Sequence, residues 1–176
     1  MKIELASSYG FCFGVKRAIK IAEDHPGSKT YGPLIHNKDE INRLKEGYNI
    51  GLAESLKDVE DKDSVVIRTH GIPKKELASL KAQDTSIIDA TCPYVTTPQQ
   101  DVEKMSREGY SIVIFGDKNH PEIKGVVSYA EKAEDAFIVL DAAELDDLPL
   151  KSLSLIHISE PTRLLSISYA VFCLKK

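Results

Sequence analysis

The stretch "SVVIRTHGIPKKELASLKAQDTSIIDATCP", residues 64–93, decides the fold class. "SVVIRT" (64–69) is short, apolar and β-branched, and reads as a strand. "PKKELASLKA" (73–82) follows, with Pro73 at a first helical position, where its missing N–H goes unused. "SIIDAT" (86–91) returns to the strand pattern. Alternation of this kind predicts an α/β protein with mainly parallel sheets.

The same alternation extends in both directions. Further strands are expected at "KIELAS" (2–7), "KTYGPLI" (29–35), "YSIVIFG" (110–116) and "AFIVLD" (136–141). Val15, Ala18, Ile19 and Ala22 share one face of a helix. Lys38 to Lys45 form another, with Ile41 and Leu44 inward. "PQQDVEKMSREG" (98–109) ends on Gly109 as a C-cap, and a further helix follows Pro121. The two prolines of "TCPYVTTP" place a boundary near Thr91–Pro98. The expected organisation is a first α/β domain over 1–92 and an incomplete second one over 93–152.

Residues 153–176, "LSLIHISEPTRLLSISYAVFCLKK", break this pattern and show no clear period of 2 or 3.6. The string resembles the conceptual translation of a transposase mosaic end joined to a sequencing adapter. It is set apart from the native fold on that resemblance, and Cys173 and His157 leave the site argument with it.

The net charge of −4 lacks the basic footprint of a nucleic-acid-binding protein. No apolar run is long enough to span a bilayer, and no Lys/Arg-rich amphipathic helix marks a membrane-surface binder. "MKIELASSYG" has no apolar signal-peptide core, so the cytoplasm is expected. Three widely spaced cysteines do not form a disulfide framework; in a reducing compartment such residues bind metal or react.

The chemistry-bearing residues follow the strands. Cys12 comes after the first run, His36 after the second, His70 after the third, Cys92 after the fourth, and His120 with Glu122 after the fifth. Open α/β sheets bind ligands beyond the carboxyl ends of their strands. His25, in "EDHPGSKT", reads as a solvated surface residue. Each residue alone has a plain structural explanation: a small buried thiol, a capping histidine, a glutamate at a helix start. Five successive strand ends would require five separate coincidences.

The residue types narrow the chemistry. Cys12 precedes a helix N-terminus and the pair Lys16–Arg17, which favour the thiolate, the form that ligates metal. Phe11 and Phe13 would keep water from it. Cys12 and Cys92 could share an iron–sulfur cluster or a zinc ion. Three histidines among helix N-termini suit an anion, phosphate above all. A carboxylic acid beside them is a candidate proton donor. Two other readings stay open at this point. One is a non-enzymatic metal- or cluster-binding α/β protein, which would have no use for Glu122 and an anion pocket. The other is a phosphate-binding hydrolase with Cys12 as nucleophile, which needs a base within reach.

"GFCFGVKRAI", "GPLIHN", "RTHG", "DATCP" and "GDKNHPE" resemble, in order and rough spacing, the LytB-type 4-hydroxy-3-methylbut-2-enyl diphosphate reductases. The resemblance covers residues 1 to about 150, roughly the N-terminal half of such an enzyme. It implies three similar α/β domains around a [4Fe–4S] cluster, with Cys12 and Cys92 as two of its three thiolate ligands. It implies that His36, His70 and His120 hold the substrate diphosphate, His120 also near the allylic alcohol, and that Glu122 supplies protons. The reaction implied is a reductive dehydroxylation of an allylic diphosphate, with electrons from ferredoxin, flavodoxin or a related donor. The third cysteine and further diphosphate ligands of that family lie beyond the matching region, and Cys173 stands in no matching motif. The chain as written is therefore expected to be inactive.

Overall fold

The computed structural model describes residue 4 and residues 10–141, 143–150, 153–157 and 171–172. The strand expected at 2–7 lies, apart from residue 4, outside the described residues.

A first sheet has the order β2-β1-β3-β4 and is parallel throughout. Its strands are β1 (Lys29–Tyr31), β2 (Gly51–Ala53), β3 (Ser64–Ile67) and β4 (Ser86–Asp89). β3 explains the architecture. Val65 and Ile67 turn to one face, where they pack with Tyr31, Ala53 and Leu80. Val66 turns to the other, among Ala18, Ile19, Leu34 and Leu44. Alternate residues of an interior strand are thus buried on both sides, as in sheets covered by helices on both faces. α1 (Phe13–Glu23) and α2 (Lys38–Tyr48) cover one face, and α3 (Lys74–Ala82) covers the other.

The second sheet has the order β6-β5-β7-β8. β5 (Ser111–Phe115), β6 (Ala136–Val139) and β7 (Leu153–His157) are parallel, and β8 (Val171–Phe172) adds an antiparallel edge. Ile112 and Ile114 meet Val102 of α4 (Pro93–Arg107) and Ile123 and Val126 of α5 (Pro121–Val127) in its core. In the segment that resembles translated adapter, the backbone at 153–157 pairs beside β5, from Ser111↔Leu153 to Phe115↔His157. Among the described residues no helix is long and apolar enough to cross a membrane.

Three local expectations need adjustment. β2 was not anticipated: "GLA" is three residues long, and Leu52 is exposed at the sheet edge. Pro73 precedes the first helical residue of α3 and does not occupy it. α4 begins at Pro93, five residues before the expected start, and carries Pro98 inside it. Pro93 supplies the fixed φ that starts the helix, so "TCPYVTTP" is helix where its prolines suggested a break. Gly109 ends α4 as expected, at φ 82° just past the cap residue Glu108.

Candidate functional site

The C-terminal ends of the strands deliver the site. His36 stands before Asn37, whose side chain caps α2 by accepting from the Glu40 N–H at 3.0 Å. His70 follows β3, Cys92 caps α4, and His120 caps α5. The His36 and His70 ring centroids are 5.0 Å apart, and those of His70 and His120 are 5.8 Å apart. The carboxylate Oε2 of Glu122 lies 3.5 Å from His70 Nδ1, with both side chains largely buried. The Glu122 N–H donates to His120 Nδ1 at 3.3 Å. A neutral His120 ring then carries its proton on Nε2, as a donor. Three imidazoles from two sheets and one carboxylate therefore share a small volume. His25 is exposed, with Nδ1 2.7 Å from the Ile21 carbonyl oxygen, at the far end of α1.

The ends of β3 and β4 are tied together and to α1. Thr69 Oγ1 donates to the Leu34 carbonyl at 3.0 Å, and the Cys92 N–H donates to the Thr69 carbonyl at 2.9 Å. Arg17 Nη1 donates to the Thr91 carbonyl at 3.1 Å, which draws the guanidinium to the end of β4.

Cys12 caps α1 without a side-chain hydrogen bond and is exposed; Cys92 is half-buried. The two cysteine loops abut. A β-carbon on Gly14 would lie only 2.5 Å from Cys92 Sγ, so a residue with a side chain there would displace that sulfur. Both cysteines sit at helix N-termini. The donor set fits two positions of a cluster or metal site. Among the described residues, however, no group of three His, Cys, Asp or Glu could hold a metal ion.

Among the described residues the expected dry shell around Cys12 is not present. Phe13 is 65% exposed, Tyr94 63% and Phe11 37%. Among the described residues nothing packs over this side of the two helix starts enough to bury them. Sequence reasoning also missed the side chains behind the histidines. Gln99 of α4 is buried, and a β-carbon on Gly71 would lie 2.8 Å from its Nε2. Arg68 Nε donates to the Gly71 carbonyl at 3.2 Å. Lys74 Nζ reaches Glu103 Oε1 at 2.8 Å, and the Lys74 N–H donates to Ser128 Oγ at 2.9 Å, joining α3 to the helices of the second sheet.

The sequence model of the LytB protein family matches residues 3–171. A Sulfurovum sp. protein named 4-hydroxy-3-methylbut-2-enyl diphosphate reductase is 76% identical over 152 residues, covering 86% of this chain and 55% of that protein. A Nitratiruptor sp. protein of the same name is 64% identical over 151 residues, covering 86% of this chain and 54% of its own length. The solved structure of (E)-4-hydroxy-3-methyl-but-2-enyl diphosphate reductase, described as the terminal enzyme of the non-mevalonate pathway, superposes with a TM-score of 0.75 at 35% identity. It covers 85% of this chain and 55% of that one. The Plasmodium falciparum E-1-hydroxy-2-methyl-but-2-enyl-4-diphosphate reductase superposes with a TM-score of 0.78 at 29% identity, over 89% of this chain and 50% of that one. The chain spans about half the length of the curated relatives it matches.

Proposed function

The chain belongs to the LytB protein family, and from that premise we propose that its site binds an allylic diphosphate and delivers protons to it. The substrate is 4-hydroxy-3-methylbut-2-enyl diphosphate. Two electrons and two protons cleave its allylic C–O bond, giving water and isopentenyl or dimethylallyl diphosphate. The observation that carries this reading is the convergence of His36, His70 and His120, with the Glu122 carboxylate 3.5 Å from His70. Imidazole N–H groups bind diphosphate oxygens with charge-assisted hydrogen bonds. The His120 Nε2–H is directed to that role by the Glu122 N–H on Nδ1. Glu122, beside His70, holds and releases a proton at its carboxylate for the departing hydroxyl.

Cys12 and Cys92 serve as two thiolate ligands of a [4Fe–4S] cluster, which when bound supplies the electrons. The close approach of Gly14, two residues after Cys12, to Cys92 supports this pairing. Ferredoxin, flavodoxin or a similar donor in a reducing cytoplasm would supply the reductant. The three converging imidazoles and the Glu122 carboxylate favour this reading over a structural zinc site, which has no use for an acid and an anion pocket.

Titration of inorganic pyrophosphate into the chain by calorimetry tests the anion site. Binding should weaken about tenfold or more in His36→Ala, His70→Ala and His120→Ala, the loss of one hydrogen bond to a charged group being about 1.5–3 kcal/mol. Absence of binding, or binding indifferent to all three changes, would overturn the proposal.

A further inference from the structure

His70 projects from a turn that two side chains hold from opposite sides. The Gly71 N–H donates to the Arg68 carbonyl at 3.0 Å, closing the turn, and Gly71 adopts φ 68°. From the first sheet, Arg68 Nε donates to the Gly71 carbonyl, and its Nη1 lies 2.7 Å from where a β-carbon on Gly32 would be. One guanidinium thus bonds the turn carrying His70 and lies against Gly32 in the loop leading to His36. From the second sheet, α4 delivers Gln99, which is 5% exposed. Its Nε2 occupies the space a Gly71 side chain would need, at 2.8 Å. The same Nε2 and the His70 carbonyl oxygen face one gap over Gly125 of α5, lying 3.7 and 3.6 Å from where a β-carbon there would stand. Gly125 is three residues beyond Glu122.

Gln99 Nε2 is buried without a hydrogen-bond partner among the described residues. An unsatisfied buried donor costs about 1–3 kcal/mol, and a leucine would fill the same space without that cost. Packing alone does not explain a glutamine here. We propose that Gln99 is a positioning residue for His70. Its amide N–H faces the His70 carbonyl across the gap at Gly125 already in the free chain, and closes onto it when an anion draws the His70 ring inward. With Arg68 behind the turn, this fixes the ring between His36 and Glu122. The inference rests on the diphosphate-binding reading of the same histidines.

The test uses the whole chain, the variant Gln99→Leu and inorganic pyrophosphate. In the unaltered chain, pyrophosphate should shift the Gln99 side-chain amide resonances downfield and slow their exchange. Gln99→Leu should bind pyrophosphate about tenfold more weakly while melting no lower than the unaltered chain. Without any ligand, it should move the His70 ring resonances and leave those of His25 in place. A merely structural role would lower the melting temperature and leave affinity unchanged. Equal affinity in the variant, with Gln99 amide signals unmoved by pyrophosphate, would overturn the proposal. Should the unaltered chain not bind pyrophosphate, the functional reading fails by itself. Unmoved His70 resonances in Gln99→Leu would then overturn the positioning role separately. Should Gln99→Leu not fold, the amide signals of the unaltered chain decide: fast exchange and no shift on adding pyrophosphate refute it.

Discussion

Gly14 is the residue on which the cysteine pair turns. Any side chain there meets Cys92 Sγ at 2.5 Å and Cys92 Cβ at 3.2 Å, so Cys92 must move aside. Gly14→Ala should therefore destabilise the chain by about 1–3 kcal/mol, as overpacking of a close contact does. It should also change the alkylation rate of Cys92 relative to Cys12, measured by mass spectrometry after limited iodoacetamide treatment. An unchanged ratio in a folded variant would remove the argument that the two loops abut. At this scale the sequence was legible where chemistry follows a strand: His36, His70, Cys92, His120 and Glu122 are each announced by the apolar run before them. Gln99 and Gly14 were not, for a different reason. Gln99 lies mid-helix with no local signal, and the close approach of Gly14 involves a sulfur far along the chain. Only the assembled fold brings such partners together.

Among elements, the join between α3, α4 and α5 matters most, because it sets His70 of the first sheet against Glu122 of the second. Lys74 and Arg107 both bind the Glu103 carboxylate, at 2.8 and 2.7 Å, and Arg107 also reaches Glu131 at 2.9 Å. The hydrogen bond from Lys74, first, and the charges of Lys74 and Arg107 hold the Glu103 carboxyl below the ordinary glutamate range, against a smaller opposing effect of burial. A depressed folded value means stability that is present above the unfolded glutamate pKa and lost as pH falls through the folded one. Acid unfolding should thus carry a contribution from Glu103. Glu103→Gln should flatten the acid limb of the stability curve, with a loss near neutrality of about 1 kcal/mol or less, since the pair is partly solvated. Urea melts between pH 3 and pH 7 would show it; an identical pH slope in the variant would sink the claim. Helix existence was readable from periodicity, but the start of α4 was not. Two prolines look like a linker when read in one dimension, whereas one starts the helix and the other is carried within it. β2 escaped because a three-residue edge strand with an exposed leucine has too few residues to show a period.

At the scale of the molecule, the two sheets bring three histidines and a carboxylate together near two helix-capping cysteines, and among the described residues one side of that arrangement is open. Phe13, Tyr94 and Phe11 remain exposed around Cys12 and Cys92, where large aromatic groups normally find apolar cover. The chain spans about half the length of the curated relatives it matches. The alternating strands and helices were legible because burial on both faces imposes long apolar runs. The openness was not, because exposure depends on what packs against a residue and not on the residue itself. Two thiols alone do not enclose a [4Fe–4S] cluster, which is held through cysteine thiolates on its irons. Reconstitution of the 176-residue chain with iron and sulfide should therefore give no stable [4Fe–4S] absorption near 400 nm, and no turnover of the allylic diphosphate with a chemical reductant. Pyrophosphate binding should survive in the same preparation, because His36, His70 and His120 depend on the two sheets and not on the thiols. A stable cluster with turnover would show that Cys12 and Cys92 find their remaining ligand within this chain or in a second copy of it. A concentration-dependent cluster yield would assign that ligand to the second copy, with the open face as the surface between copies.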